Sequence, residues 1–383
     1  GLKEAIRVMS KSPGVFRAPE ACFQAAYEFL EDLVGKDQAT QMIIKRPGVL
    51  ATPKKTLHGA WEGIKSLIGE EDAKQLVLRT SILTSPESTM LKSFDALTDH
   101  MGKETAIMLV RKSPSLLKVS ESTINCAWSI LENLVGESSA VELCERCPNV
   151  LSAPAPTMMG ALEAFEKLFG PDLAVALVLK NPAILKAPKD TVQGAWSVLE
   201  EVLGESDALE AVRNNPDLLR APGYTVGGAW NVLVANLGRD GALRLIKQSP
   251  GVLNSPKETM EGTWDILKKL FGPEKSVQLI QKNPTVLKAP PNTATDVINA
   301  LSYALKSEVA ALSVIERSPG MLRVSSERIL NVRRTLEREV GEDQAAEILR
   351  RVPSAFKLAS VSLDGWIQRT VRRGMSDEGI SID

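Results

Sequence analysis

The chain has 383 residues, of which 44% are hydrophobic and 24% charged, and its net charge is −1 at a pI of about 6.3. This balance is typical of a folded soluble protein. It excludes a disordered chain and a uniformly basic nucleic-acid binder, although local basic stripes can hide in a neutral total.

The longest apolar run, LAVALVL, is shorter than the roughly 20 residues that a membrane span needs. The chain begins at Gly1 without a methionine or a signal-like segment, as it would after removal of a targeting peptide or after trimming. Its four cysteines have no regular spacing, so they do not form a disulfide framework and favour a reducing compartment.

A marker proline recurs at intervals of 33 to 35 residues along the whole chain, with Thr80 in the one slot that lacks it. A fixed period of this size is the sequence signature of a solenoid built from stacked repeats. The marker prolines are Pro13, Pro47, Pro114, Pro148, Pro182, Pro216, Pro250, Pro284, Pro319 and Pro353.

Each repeat has the same order, which residues 180–208 illustrate. A Ser or Asn before the marker, here Asn181, predicts a short capped 3-10 turn, because the fixed φ of proline suits the first helical position. Two aliphatic residues follow, and a second proline, Pro188, is predicted to end the turn and start a longer helix. Gly204 then stops that helix, and a shorter helix that buries Ala208 runs to the next marker.

Two further slots recur in the longer helix. An aromatic residue fourteen positions after the marker is predicted to pack in the core, and a small residue two positions earlier is predicted to let a neighbouring backbone approach closely. The aromatic slot contains Tyr27, Trp61, Phe94, Trp128, Trp196, Trp230 and Trp264, and the small slot contains Ala25, Gly59, Cys126, Gly160, Gly194, Gly228 and Gly262.

These patterns predict an all-α fold, an α-solenoid or superhelix of about ten 34-residue units, each with two helices and a short 3-10 turn. We expect one continuous array over 1–383, with an N-terminal end at 1–12, ten repeats at 13–352 and a C-terminal half-repeat cap and tail at 353–383. Near the end Arg333 occupies the aromatic slot, and the last half-repeat, LDGWIQRTVRRG, has the polar character of a terminal cap.

The segment NPDLLRAPGYTVGGAWNVLVANLGRDGALRLIKQSPGVL contains a proline–aliphatic turn, a leucine-rich helix, a glycine stop and a second short helix before the next proline. This order resembles the repeat of the mitochondrial transcription termination factor (mTERF) family, from about residue 10 to residue 370. The tryptophan, glycine and tyrosine offsets do not match a tetratricopeptide array. The mTERF resemblance implies an all-helical superhelix, a nucleus-encoded protein of a mitochondrion or plastid, and a groove that in many members holds nucleic acid.

Basic residues recur two positions before the marker (the first basic row) and four positions after it (the second basic row). Stacking of the repeats should align each row, and acidic residues after the stop glycine should form an acidic edge at the opposite end of the hairpin: Glu70, Glu137, Glu205, Glu274 and Glu342. The first row contains Lys11, Lys45, Lys112, Arg146, Lys180, Lys282, Arg317 and Arg351, and the second contains Arg17, Lys118, Lys186, Arg220, Lys288, Arg323 and Lys357.

Two interpretations of the rows stay open. They could follow a phosphate backbone, or they could complement helix dipoles, which contributes about 0.3–1 kcal/mol per charge and would recur in every repeat. Residues 317–373 contain twelve Lys and Arg against seven Asp and Glu, so this end could dock on RNA or on an acidic protein surface.

Signals for catalysis or metal binding are weak. Cys144 and Cys147 form the one Cys-x-x-Cys pair, but zinc needs four ligands, and neither His58 nor His100 lies near the pair in sequence. No glycine-rich phosphate loop, nucleophile elbow or pair of histidines is present. We therefore expect no enzyme, no cofactor, no metal and no small-molecule substrate.

Two functions follow as hypotheses. The first is a non-catalytic scaffold or linker subunit that binds protein partners in a large assembly of a plastid or mitochondrion, soluble or peripherally attached to the complex. The neutral charge and the regular repeats favour it. The second is an mTERF-type organellar RNA- or DNA-binding protein that regulates gene expression or contacts rRNA, which the two basic rows favour.

Overall fold

The computed structural model describes Ser12, Val15, residues 17–358 and residues 365–367. Within these ranges the chain forms α-helices joined by 3-10 turns, and it contains no β-strand. The predicted all-α repeat solenoid, with two helices and one 3-10 turn per repeat, is therefore confirmed.

The first compact unit, Gly1–Val192, alternates long helices of 15 residues with short helices of 10 residues. Its described long helices are Glu20–Val34, Lys54–Ile68, Glu87–Met101, Glu121–Val135 and Ala155–Phe169. Its short helices are Lys36–Lys45, Glu70–Arg79, Lys103–Lys112, Glu137–Arg146 and Pro171–Lys180. Its 3-10 turns are Pro47–Ala51, Ile82–Thr84, Pro114–Lys118, Pro148–Ser152 and Pro182–Lys186.

The second compact unit, Gln193–Asp383, repeats the same pattern, and helix Lys189–Leu203 contains the boundary between the units. Its further helices are Glu205–Asn214, Gly223–Gln248, Lys257–Phe271, Pro273–Lys282, Pro291–Leu305, Glu308–Arg317, Ser326–Val340 and Glu342–Arg351. Its 3-10 turns are Pro216–Arg220, Pro250–Asn254, Pro284–Lys288, Pro319–Arg323 and Pro353–Lys357. The predicted single array over 1–383 stays a prediction.

Within each unit, most long helices pack against the long helix of the next repeat, and most consecutive 3-10 turns also contact one another. Equivalent positions of neighbouring repeats are therefore brought together along two rows, one of long helices and one of turns.

The marker prolines open the 3-10 turns as predicted, since each described one is the first residue of its turn. Asn181 and Asn283 cap their turns, accepting hydrogen bonds from the backbone N–H groups two residues ahead at 3.1 and 3.2 Å. The second proline differs from the prediction. The long helix begins one residue after Pro188. In the next repeat the equivalent Pro222 has an extended ψ of 143°. The second proline therefore precedes the long helix and fixes the direction in which the chain enters it.

A stop glycine ends the long helices and also begins the short ones. Gly69, for example, lies at φ 85° and ψ 161°, a region that is essentially restricted to glycine. Its N–H donates to Lys65 O and its carbonyl accepts from Ala73 N, so one residue serves both helices. In Gly223–Gln248 the equivalent Gly238 leaves the helical region at φ 69° and ψ 168°.

Two repeats depart from the common length, and the structure explains both. In the 35-residue interval the glycine is replaced by two residues, Lys306 in the left-handed region at φ 50° and Ser307, whose hydroxyl caps the next helix through Ala310 N–H. In the 33-residue interval the slot of Thr80 lacks the proline, and the turn shortens to Ile82–Thr84.

The core contains the predicted aromatic slot. Trp264 is 1% exposed, Phe94 and Trp128 are similarly buried, and Tyr27 is half-buried, which confirms the core-packing interpretation. The short helices contribute the predicted alanines, all fully buried: Ala39, Ala73, Ala106, Ala140, Ala174, Ala208, Ala242 and Ala345. Ser255 and Thr263 lie in the same core, and Thr263 donates to Ala289 O in the next repeat.

Residues in the small slot lie against the first residue of the next long helix. A Cβ on Gly228 would lie 3.2 Å from the Cβ of Lys257, and one on Gly262 would overlap the ring of Pro291. The group that approaches the small slot is therefore usually a side chain of the next long helix. The predicted close approach of a backbone is found at one described pair, where the carbonyl of Gly194 lies against Gly223.

This slot gives a matched test of repeat packing. Gly262→Ala is expected to destabilise the chain by about 1–3 kcal/mol, because the rigid ring of Pro291 cannot move aside. Gly194→Ala is expected to be neutral or stabilising by up to about 1 kcal/mol, since its Cβ would have no neighbour within 4 Å. Urea unfolding of both variants measures the difference. Equal effects would contradict the packing described for this slot.

Candidate interaction surface on the short-helix side

The described residues of the first basic row are the last residues of the short helices: Lys45, Lys112, Arg146, Lys180, Lys282, Arg317 and Arg351. Lys11 lies outside the described residues. The acidic edge lies in the first turn of the short helices, as Glu137 and Glu274 illustrate. A ten-residue helix separates the two ends by about 15 Å, so each short helix carries charge that complements its dipole.

Three residues of the first basic row also bind the following repeat. Lys112 Nζ donates to Glu145 O at 2.6 Å and Lys282 Nζ to Arg317 O at 2.8 Å. Arg146 donates to Leu179 O in the same way. Each accepting carbonyl lies in the last turn of the next short helix, so these cations neutralise the negative end of their neighbour.

The second basic row reaches in the opposite direction, into the preceding repeat. Its members from Lys118 onward end the 3-10 turns: Lys118, Lys186, Arg220, Lys288, Arg323 and Lys357. Lys118 Nζ donates to Ser81 O at 2.8 Å, Lys186 Nζ to Ser152 Oγ at 3.2 Å, and Lys357 Nζ to Ser318 Oγ at 3.0 Å. Arg220 instead pairs with Asp217 of its own turn at 2.8 Å. Arg17 occupies the second-row position of the first repeat and is exposed.

Some of these cations crowd one another. Burial, and after it the charge of Arg46, lowers the pKa of Lys118. Burial and the charge of Arg323 lower the pKa of Lys288, partly opposed by Asp217. The turns therefore concentrate positive charge between repeats.

The crowding at Lys288 is testable. Arg323→Gln is expected to raise the pKa of Lys288, because the variant removes a neighbouring positive charge. Since the unfolded chain binds this proton more tightly, the stability that this group contributes rises with pH between its lowered pKa and the ordinary value of 10.5. An NMR titration of the Lys288 εCH₂ group, assigned with Lys288→Arg, measures the shift. An unchanged titration curve would show that the two charges do not interact.

The sequence pattern does not identify two cations of this surface, Arg79 and Arg46. Arg79 is the last residue of Glu70–Arg79, the position that the first basic row occupies in other repeats. Because the interval from Pro47 to Thr80 is 33 residues long, the rule of two positions before the marker points to Leu78 instead. Counting ten residues forward from the stop glycine would have found Arg79. Arg46 donates to Val77 O and Leu78 O in the next repeat.

Ion pairs join the third residue of one short helix to the ninth residue of the next. Asp72 pairs with Arg111, and Asp207 pairs with Lys247 at 3.1 Å. One pair has the opposite polarity, Lys275 with Glu316 at 2.6 Å. These exposed pairs contribute little energy, but their polarity differs from interface to interface and can specify which repeats are neighbours.

Grooves lie between consecutive repeats on this side, and their charges differ; the groove at Asp207 is the smallest of the four, at about 20 Å³. Three of them contain an acidic or amide lining next to a cation: Gln38 and Gln41 with Lys45, Asp72 and Gln75 with Arg79 and Arg111, and Asp207 and Glu210 with Lys247. A fourth, the Arg317 groove, is lined by Val314, Arg317, Ser318, Met321, Pro353 and Lys357.

Cys144 and His100 occupy packing positions. Cys144 is buried, and burial raises the pKa of its thiol to about 12, which disfavours the reactive thiolate. His100 Nε2 lies 2.9 Å from Asn125 Oδ1, and its ring stacks on Trp128. Among the described residues, no group of three His, Cys, Asp or Glu side chains could hold a metal ion.

No protein-family model matches the chain, and a search of the curated proteins found no match. Within the part of the chain that the structure describes, no helix is both long and apolar enough to cross a bilayer.

Proposed function

We propose that this chain is a non-catalytic helical-repeat scaffold that binds protein partners along its short-helix side. The row of inter-repeat grooves carries this proposal, because each groove presents a different combination of charged, amide and apolar side chains. A surface that varies from repeat to repeat suits recognition of a particular protein partner.

The size of the grooves also favours a protein partner over a small-molecule ligand. The grooves at Lys45, Arg317 and Arg79 measure about 220, 220 and 280 Å³. Small-molecule sites usually measure about 300–1,000 Å³. Grooves of this size suit single side chains inserted by a partner.

Much of the basic charge already binds within the repeat stack. Lys112, Arg146 and Lys282 bind carbonyls of the next repeat, and Lys118 binds groups of the preceding one. This favours the helix-dipole interpretation of the rows over a continuous phosphate track. The proposed setting is a large assembly in a plastid or mitochondrion, in keeping with the resemblance to mTERF repeats.

The test is purification of the tagged chain from its native organelle, with and without nuclease, followed by identification of the bound proteins. We expect the same protein partners in both preparations. Loss of every partner after nuclease treatment would contradict the proposal.

A second candidate is an mTERF-type RNA- or DNA-binding protein, which the crowded cations favour. Burial and, after it, the charge of Arg323 lower the pKa of Lys288, and a phosphate group beside the two cations would relieve their repulsion. Affinity for single-stranded RNA and for duplex DNA, measured from low to physiological salt, tests this candidate. Binding through several phosphates would weaken steeply with salt, and no binding even at low salt would eliminate it.

A further inference from the structure

The floor of the Arg317 groove is apolar. Val314 and Met321 form it and are each 1% exposed, and Pro353 of the next repeat adds another apolar surface. Because these groups are held by the core, an aliphatic side chain that enters the groove meets a preformed apolar surface.

Two cations flank this floor from consecutive repeats. Arg317 ends Glu308–Arg317, and Lys357 ends Pro353–Lys357; both are exposed. Lys357 Nζ donates to Ser318 Oγ at 3.0 Å, and Arg317 Nε donates to Ser313 O at 3.4 Å, so both side chains are directed along the groove rim by neutral groups.

Among the described residues, no carboxylate lines this groove, in contrast to the grooves that contain Asp72 and Asp207. In those two, the carboxylate already binds a cation of the next repeat. The nearest acidic neighbour in sequence, Glu316, binds Lys275 at 2.6 Å. No described residue of the groove therefore offsets the positive charge of Arg317 and Lys357.

We propose that the Arg317 groove binds an acidic segment of a protein partner, which inserts an aliphatic side chain onto Val314 and Met321 while its side-chain carboxylates pair with Arg317 and Lys357. This inference rests on the proposed protein-binding function and specifies the chemistry of the partner. Charge complementarity selects an acidic ligand, and the apolar floor selects a peptide over a nucleic acid, since none of the described residues that line the groove offers an aromatic ring for a base to stack on.

The experiment uses the full chain and a fluorescein-labelled peptide, Glu-Asp-Leu-Glu-Glu, blocked at both ends, with binding measured by fluorescence anisotropy. The double variant R317E/K357E is expected to weaken binding roughly tenfold or more, because it reverses both rim charges. The variant S354W, at an exposed position on the groove, is expected to block the peptide without disturbing the core. Replacing the leucine of the peptide with serine is also expected to weaken binding roughly tenfold.

The matched control is K54E/K55E, which makes the same change in net charge at exposed positions of helix Lys54–Ile68 in the other unit. It is expected to bind the peptide as the original chain does. Circular dichroism of each variant establishes that it is folded.

Three results would overturn the inference: no binding of the peptide to the original chain, unchanged binding by R317E/K357E, or unchanged binding of the peptide in which serine replaces leucine. Stronger binding of a single-stranded RNA oligonucleotide that the same variants abolish would also overturn it. If the peptide test fails while nuclease-resistant partners persist, the scaffold function stands and this site alone is wrong.

Discussion

Trp264→Ala is expected to lower the free energy of unfolding by about 3–5 kcal/mol. Trp264 is 1% exposed, and it occupies the aromatic slot of Lys257–Phe271, where removing the indole would leave a cavity that the rigid helix stack cannot close. Lys268 Nζ lies 6.0 Å from the ring centroid and would also lose that contact.

Urea unfolding followed by circular dichroism measures this loss. Tyr224→Ala provides the control, because Tyr224 is an aromatic residue of the same unit that is 83% exposed, and its removal is expected to change stability by less than about 0.5 kcal/mol. A similar effect of the two substitutions would contradict the assignment of the aromatic slot to the core.

Arg333→Met is expected to stabilise the chain by about 1–4 kcal/mol, the opposite of most core substitutions. Arg333 fills the aromatic slot of Ser326–Val340 at 1% exposure. Its Nη2 donates to Glu342 O at 2.6 Å and its Nε lies 3.4 Å from Glu337 Oε2, but Nε and Nη1 have no hydrogen-bond partner. Burial of the cation is thus incompletely compensated, and a flexible apolar side chain of similar length removes that cost.

The exposed neighbour Arg334 supplies the control, since Arg334→Met removes the same charge without changing the core. Thermal and urea unfolding of the two variants should separate them. A loss of stability in Arg333→Met would show that the contacts with Glu337 and Glu342 O outweigh the desolvation of the guanidinium.

The repeat architecture follows from sequence because each determinant is local and recurs. A proline at a first helical position, a glycine such as Gly69 at a φ that other residues avoid, and an alanine such as Ala73 on the buried face act within a few residues. The period then places equivalent side chains beside one another. Burial of the tryptophans follows from the same periodicity.

The details that sequence does not predict depend on contacts between repeats. The pattern places Lys112 at a helix end, but its acceptor, Glu145 O, is in the next repeat and has no sequence signature. Arg79 is hidden by a one-residue deletion, and the pair of Lys306 and Ser307 replaces a glycine with no recurring motif. Charges in the grooves also differ between interfaces, so periodicity cannot predict which groove suits which ligand.

Successive repeats stack in one register, so that residues 37 to 41 positions apart in sequence become neighbours on the short-helix side. Zero-length carbodiimide cross-linking of the intact chain, read by mass spectrometry, tests it directly, because the reagent joins only a lysine and a carboxylate already in contact. Stacking in this register predicts cross-links between Lys247 and Asp207, Lys275 and Glu316, and Lys306 and Asp343, whose paired atoms lie 3.1, 2.6 and 2.7 Å apart. Cross-links of these lysines to carboxylates two or more repeats away, in place of those three, would contradict the stacking register.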